Sequence, residues 1–346
     1  MILVYMTRDM HYRPYEEDIL NKYFGKVITI KFPNGFNPIV ACDVLKKHKP
    51  NCVLWKLDCE KTKTKEWEEM VALSKRINRP QINNPVAWIN CNLKEKCFEV
   101  WKENGIDIPE YEIVKDTIDP KWYPCIIKVN NNCGGMNTIF MNDENDANKL
   151  NGFMADYETR KNKYTNTKVL CVRYVDFRTK YRYVPVYRAI VAGGKLVGGM
   201  VRLYDNDPSL CFKAILCTND KIKDKTGMNK RRTKCLIKYY KRLDQMFANN
   251  GDYFIRAAKA TGLDSVAMDF LDADGKFIML EAQSDFEMKE QVKSPKTKLF
   301  RLWFENNKEL FKKEIPLYVL WMDKERLTKK IYKRISDDIS NKRKAH

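Results

Sequence analysis

The chain has 346 residues, of which 44% are hydrophobic and 12% aromatic, a composition that excludes intrinsic disorder and provides for two or three domain-sized units. Lysine and arginine total 64 against 45 acidic residues; the formal charge of +19 points to an anionic partner such as a nucleotide, a phosphorylated compound or an acidic peptide. Three histidines (His11, His48, His346) and 11 cysteines without a CxxC pair leave little material for a histidine metal centre or a Ser/Cys–His nucleophile, and indicate free thiols in a reducing, cytoplasmic compartment.

In chain order, Ile2–Met6 reads as a first strand, too short for a signal peptide, and no apolar run reaches the ~18 residues of a membrane helix. Strand-like Lys26–Phe32 and Cys52–Leu57 follow, interleaved with helix-like Tyr15–Phe24, Pro38–Lys49 and Lys65–Arg76. In the last of these, Trp67, Met70, Val71 and Ser74 are spaced to line one face. This alternation predicts a parallel α/β domain over residues 1–85, whose open strand ends suit a ligand. Asn92–Asn104 reads as a helix stopped by Gly105, with Pro109 beyond. Strands Cys125–Asn130 and Thr138–Asn142 flank a glycine loop, and helix-like Glu144–Tyr157 completes a second unit, 86–165.

From Lys168 the pattern becomes antiparallel β. Lys168–Val175 is a strand, and Val184–Val191 and Leu196–Leu203 make a hairpin across Gly193-Gly194. Residues 219–235 read as an exposed basic loop; a helix over Cys235–Thr261 ends at Gly262, and a hairpin pairs Ser265–Leu271 with Lys276–Gln283. These define a third unit, 166–290, followed by a basic helical extension, 291–346, with a strand-like interruption at Ile315–Met322.

The final hairpin carries the most chemistry. A loop of Asp274-Gly275-Lys276 sets Asp269 opposite Glu281, and alternation puts Gln283 on the face of Glu281. Opposed carboxylates ~5 Å apart destabilise a sheet. Mg²⁺ between them would turn the repulsion into a site, whereas a different register would leave the pair apart in solvent. Gly134 and Gly135 lie between two strands, which rules out Walker-A and dinucleotide-binding motifs, both of which need a helix directly after the glycines. Such a loop can still fold over phosphates, with Lys128 on the strand that feeds it. Arg188 and Arg202, on the two arms of the middle hairpin with Arg188 near Gly199, either share an anion or are ordinary surface arginines.

The order of these elements resembles the ATP-grasp superfamily, and within it the ribosomal-protein glutamate ligase and glutathione-synthetase-like branch. Similar segments are Asn92-Leu93-Lys94 through Gly105-Ile106-Asp107-Ile108-Pro109, Ile127-Lys128 with Gly134-Gly135, Tyr187-Arg188-Ala189 through Gly193-Gly194-Lys195, and Thr261-Gly262-Leu263 through Asp269, closing at Glu281-Ala282-Gln283. The resemblance spans roughly residues 80–285. It implies an α/β (α+β) architecture in which an N-terminal parallel domain precedes two α+β subdomains that clamp ATP between antiparallel sheets.

It further implies a ligase forming a C–N bond through an acyl phosphate, with ATP and Mg²⁺ or Mn²⁺ as cofactors. Lys94, Lys128, Gly134 and Gly135 would contact phosphates; the backbone of Val172 and Tyr174 would bind adenine and Asp176 the ribose. Asp269, Glu281 and Gln283 would hold the metal, and Arg188 and Arg202 the transferring phosphoryl group or the substrate carboxylate. Two positions depart from the family pattern: Gln283 stands where asparagine is usual, and the hinge Cys171–Asp176 lacks the frequent glutamate. A kinase of a polyanionic small molecule, similar to inositol-phosphate kinases, is the alternative on the same scaffold. A nucleic-acid-binding protein is a third, disfavoured because the aromatics are dispersed. The basic loop (Lys221, Lys223, Lys225, Lys230, Arg231, Arg232, Lys234) suggests an acidic substrate, an amino acid or a peptide.

Overall fold

A computed structural model describes residues 1–7, 12, 14–56, 64–114, 118–131, 138–160, 167–176, 183–205, 230–284, 304–305, 307–317, 320 and 323–344. Its strands form three four-stranded sheets. The first contains β1 (Ile2–Thr7), β2 (Lys26–Lys31), β3 (Cys52–Lys56) and β4 (Gln81–Ile82), all parallel, in the order β2-β1-β3-β4. Helices α1 (Pro14–Phe24), α2 (Pro38–His48) and α3 (Thr64–Arg76) connect them. Strand β3 is buried at every position, as expected of a parallel strand covered on both faces. Helix α2 starts where Asn37 accepts from the Ile39 and Val40 amides and Pro38 presets the first turn. In α3 the buried stripe is Trp67, Met70, Leu73 and Ser74; Val71, expected on it, lies at its margin.

Helices α4 (Pro85–Asn92) and α5 (Lys94–Glu103) come next, separated at the extended Leu93, so the single helix expected from Asn92 begins at Lys94. The second sheet joins β5 (Tyr111–Ile113), β6 (Cys125–Val129), β7 (Thr138–Met141) and β8 (Val169–Arg173) in the antiparallel order β5-β8-β6-β7, with α6 (Ala147–Arg160) following β7. Because β8 pairs with β5 and β6, the boundary expected between residues 165 and 166 is corrected: β8 belongs to the second unit.

The third sheet, β10-β9-β11-β12, is antiparallel and made of β9 (Tyr183–Ala192), β10 (Lys195–Asp205), β11 (Ser265–Ala273) and β12 (Lys276–Gln283). Helix α7 (Lys230–Thr261), interrupted by non-helical backbone at Asn250, precedes β11; residues 230–235, expected in a loop, are its first turns. Residues 316, 317 and 320 are helical where a strand was expected. Among the described residues no helix is long and apolar enough to cross a membrane, and the described cysteines are free.

The two faces of the third sheet divide the molecule. Tyr187, Ala189, Val201, Met268, Phe270, Phe277 and Met279 pack into one core with Phe98 and Trp101 of α5 and Leu243 and Phe254 of α7. The Trp101 indole donates to the Ala257 carbonyl at 2.9 Å across that interface. On the other face, Ile190, Ala192, Val197, Met200 and Ala267 pack with Ile331, Ile335 and Ile339 of the C-terminal helix, Lys324–Lys344. Leu3, Tyr5, Leu20 and Phe24 of the N-terminal domain complete this second core. The extension is thus an integral wall between the first and third units.

Candidate functional site

The β11–β12 hairpin fixes the site through two irregularities. Its turn has two residues, Asp274 and Gly275, both at positive φ (53° and 92°), the Asp-Gly signature of a tight primed turn. The three-residue loop expected from sequence is therefore corrected. With that turn alone, Asp269 would face Leu280. A β-bulge at Leu280 adds one residue to β12 and restores the pairing of Asp269 with Glu281. The same bulge lets Met279 and Ala282, three positions apart, both face the helical core, while Glu281 and Gln283 turn to the opposite face.

The middle hairpin supplies the countercharge. Its register also shifts, between Leu196 and Gly198, so Arg188 pairs with Met200 and not with Gly199. Across the β9–β11 ladder Arg188 lies directly opposite Asp269, making a row Met200–Arg188–Asp269–Glu281 across the four strands. Arg188 Nε donates to Asp269 Oδ1 at 2.5 Å and its terminal nitrogen to Oδ2 at 2.8 Å. Arg202, diagonal to it and more open to solvent, donates to Oδ2 at 3.1 Å. Burial raises the Asp269 pKa, but the two guanidiniums outweigh it and hold the carboxyl well below its usual range. Arg188 also donates to Gln283 Oε1 at 3.1 Å, and Gln283 Nε2 donates to Glu281 Oε1 at 2.9 Å.

The lysines approach from the second unit. Lys94, the first residue of α5, is buried, 3.7 Å from Glu281 Oε2 and 3.3 Å from the Asn130 carbonyl. Lys128 on β6 lies over the Phe98 ring. Burial and the neighbouring Lys94 ammonium, against the opposing pull of Glu281, push its pKa down to about 7. So seven of the candidate residues converge: Lys94, Lys128, Arg188, Arg202, Asp269, Glu281 and Gln283.

Other candidates stand differently. Gly134 and Gly135 lie outside the described residues. Val172 is inside the β5-β8-β6 ladder, and the Tyr174 amide donates to the Pro124 carbonyl at 3.0 Å. Asp176 is exposed just past β8.

Sequence reasoning missed Glu95 and Asn130. Asn130 is fully buried and donates to both carboxylate oxygens of the buried Glu95 at 3.0 and 2.9 Å. Its side-chain oxygen accepts from the Lys168 amide at 3.0 Å, and its own amide donates to the Lys168 carbonyl at 2.9 Å. One asparagine thereby ties the start of α5, the end of β6 and the entry to β8. The available signal was a run of three asparagines, Asn130–Asn132, closing a β-strand one residue before Gly134-Gly135.

Among the described residues no group of three His, Cys, Asp or Glu side chains could hold a metal. Both Asp269 oxygens accept from Arg188 or Arg202, and Gln283 Oε1 accepts from Arg188; in chemical type alone, two carboxylates and an amide oxygen are donors that Mg²⁺ takes.

No family model matches the chain, and no curated protein matches it. Solved structures do. The crystal structure of a RimK domain ATP-grasp protein from Sphaerobacter thermophilus DSM 20745 is 12% identical, with 98% of this chain and 99% of that chain covered and a TM-score of 0.51. The biotin carboxylase domain of the Hydrogenobacter thermophilus 2-oxoglutarate carboxylase, in complex with MgADP, ADP and bicarbonate, is 13% identical, with 84% of this chain and 65% of that chain covered and a TM-score of 0.51. These likenesses are of fold.

Proposed function

Given that the chain has the ATP-grasp fold, we propose that it is an ATP- and Mg²⁺-dependent carboxylate–amine ligase. The observation that carries this reading is the charge arrangement on one face of the third sheet: two carboxylates and an amide oxygen, each within reach of Arg188, Arg202 or Lys94. Arg188 and Arg202 occupy the Asp269 and Gln283 oxygens in the free protein, so a cation would bind by displacing part of that pairing. Mg²⁺, held by Asp269, Glu281 and Gln283, would neutralise the triphosphate. Lys94 and Lys128 are suited to the phosphate oxygens, and Arg202, the more exposed arginine, to the oxygens of the transferring group.

In the proposed reaction a substrate carboxylate oxygen attacks the γ-phosphorus and ADP leaves. An amine then attacks the acyl carbon, releasing inorganic phosphate and a proton. The work asked of the protein is positioning and charge stabilisation, which suits a site whose converging side chains include no histidine.

Calorimetry of ADP·Mg²⁺ on the wild type and Glu281→Ala tests the site; metal-dependent binding is expected in the first and a large loss in the second. Product mass after incubation with ATP and an amino-acid pool tests the chemistry. A new amide with free phosphate supports the ligase, whereas a phosphorylated product without free phosphate assigns a kinase to the same scaffold. No binding to the wild type removes both.

A further inference from the structure

Tyr204 stands on the charged face of the third sheet, two residues beyond Arg202 on β10 and therefore on the same side of that strand. The alternate residues Val201 and Leu203 turn the other way, into the core shared with α5 and α7. In the β9–β10 ladder Arg202 lies opposite Val186 and Tyr204 opposite Val184, and both valines are buried. An aromatic ring beside a β-branched side chain on the neighbouring strand is a stabilising pair, and a tyrosine has only two side-chain torsions to fix. The ring is thus a stiff post next to a long, flexible arginine.

The Tyr204 hydroxyl is in hydrogen-bonding contact with the Arg202 guanidinium. A guanidinium carries donors only, so the phenolic oxygen is the acceptor. Burial raises the phenol pKa, with Arg202 pulling it down and Asp269 and Glu281 pushing it up. The hydroxyl therefore feels the same charges that make up the candidate site, and it stays protonated at neutral pH.

The two arginines differ in what holds them. Arg188 is buried, grips Asp269 with two bonds and reaches Gln283 with a third. Arg202 is 23% exposed and has one bond to Asp269, at 3.1 Å. Of the three bonds on Asp269 this is the longest and the most open to solvent, hence the first to yield when a cation approaches that carboxylate. An arginine released from its carboxylate regains the rotamer freedom of a long side chain and loses its aim. The contact with the Tyr204 oxygen is the one that remains to it.

We infer that Tyr204 is the positioning residue for Arg202: its phenolic oxygen keeps the guanidinium on the sheet face once Asp269 turns to a cation, and so aims it at the γ-phosphoryl group. The inference deepens the nucleotide reading above and rests on it.

The test is calorimetry of the full chain with two probes, ADP·Mg²⁺ and the β,γ-imido analogue of ATP with Mg²⁺, which differ in the γ-phosphoryl group. Tyr204→Phe keeps the ring and removes only the oxygen. It is expected to weaken binding of the analogue about tenfold, to leave ADP·Mg²⁺ affinity within about twofold and to melt with the wild type. In an Arg202→Met background, which has no guanidinium to position, the same change is expected to affect neither probe. Equal weakening of both probes would make Tyr204 a packing residue, and an undiminished analogue affinity would make it idle; either overturns the inference. So does a loss of about tenfold that persists in Arg202→Met, since Tyr204 would then act without the arginine. A wild type that binds neither probe removes the nucleotide reading and the inference with it, whereas one that binds ADP·Mg²⁺ leaves that reading standing however the variants fall.

Discussion

Arg188 and Asp269 face each other across adjacent antiparallel strands and join through two parallel hydrogen bonds, at 2.5 and 2.8 Å, with both side chains almost wholly buried. Removing one partner of such a pair leaves an uncompensated charge in the interior. Arg188→Met is expected to lower stability by about 3–5 kcal/mol, since Arg202 offers Asp269 only one bond. Urea denaturation checks this; a loss below about 1 kcal/mol would mean that the pair is solvated.

The acid limb of the stability curve follows from the same contact. Because the Asp269 pKa is lower folded than unfolded, its contribution is complete above the unfolded carboxylate value and is lost as pH falls through the depressed folded value. Asp269→Asn is expected to flatten the stability profile below about pH 4. A variant whose acid limb matches the wild type would assign that limb to other carboxylates.

Lys128 gives a signature at neutral pH. With its pKa pushed down to about 7, this lysine is part neutral in the free protein, and a polyphosphate would draw a proton onto it. ADP·Mg²⁺ binding is therefore expected to take up protons, and affinity to fall as pH rises above about 7. Calorimetry in buffers of different ionisation enthalpy measures the uptake; Lys128→Met should abolish it. Proton release in the wild type would place Lys128 away from the phosphates.

Asn130 provides a test of the joint between helix and lid. Asn130→Leu leaves the buried Glu95 carboxylate without its two amide bonds, at a cost of about 1–3 kcal/mol or more. Nucleotide affinity should fall as well: the backbone carbonyl of residue 130, which accepts from Lys94, stays in the variant but loses the side-chain ties to Glu95 and Lys168 that position it. Amide exchange should quicken at residues 125–131 and 167–173 before the third sheet is affected; uniform quickening would indicate global destabilisation only.

The sequence was most informative where chemistry and local geometry coincide. The opposition of Asp269 and Glu281 was legible, but for an incomplete reason: a three-residue loop and a two-residue turn plus a bulge at Leu280 give the same pairing. The bulge has no local sequence mark; it is imposed by the need to bury Met279 and Ala282 together. Glu95 and Asn130 were not legible, because their value lies in a contact between residues 35 positions apart. Strand β8 was recognised as a strand yet assigned to the wrong unit, since strand pattern carries no information on which edge a strand will join. The C-terminal helix read as a basic appendage because its apolar stripe, Leu327, Ile331, Ile335 and Ile339, is diluted by lysines.

That stripe also bears on how the protein is made. Phe24 and Leu20, near the start of the chain, share a core with Ile335 and Ile339 near its end, and Gly193 at positive φ meets the Arg334 carbonyl, where even one methyl group would collide. During synthesis the amino-terminal domain therefore leaves the ribosome with part of its apolar surface uncovered, and waits for some three hundred further residues before it can be sealed. At ~5–20 residues per second that is an exposure of roughly 15–60 seconds, long enough for chaperone engagement to determine yield.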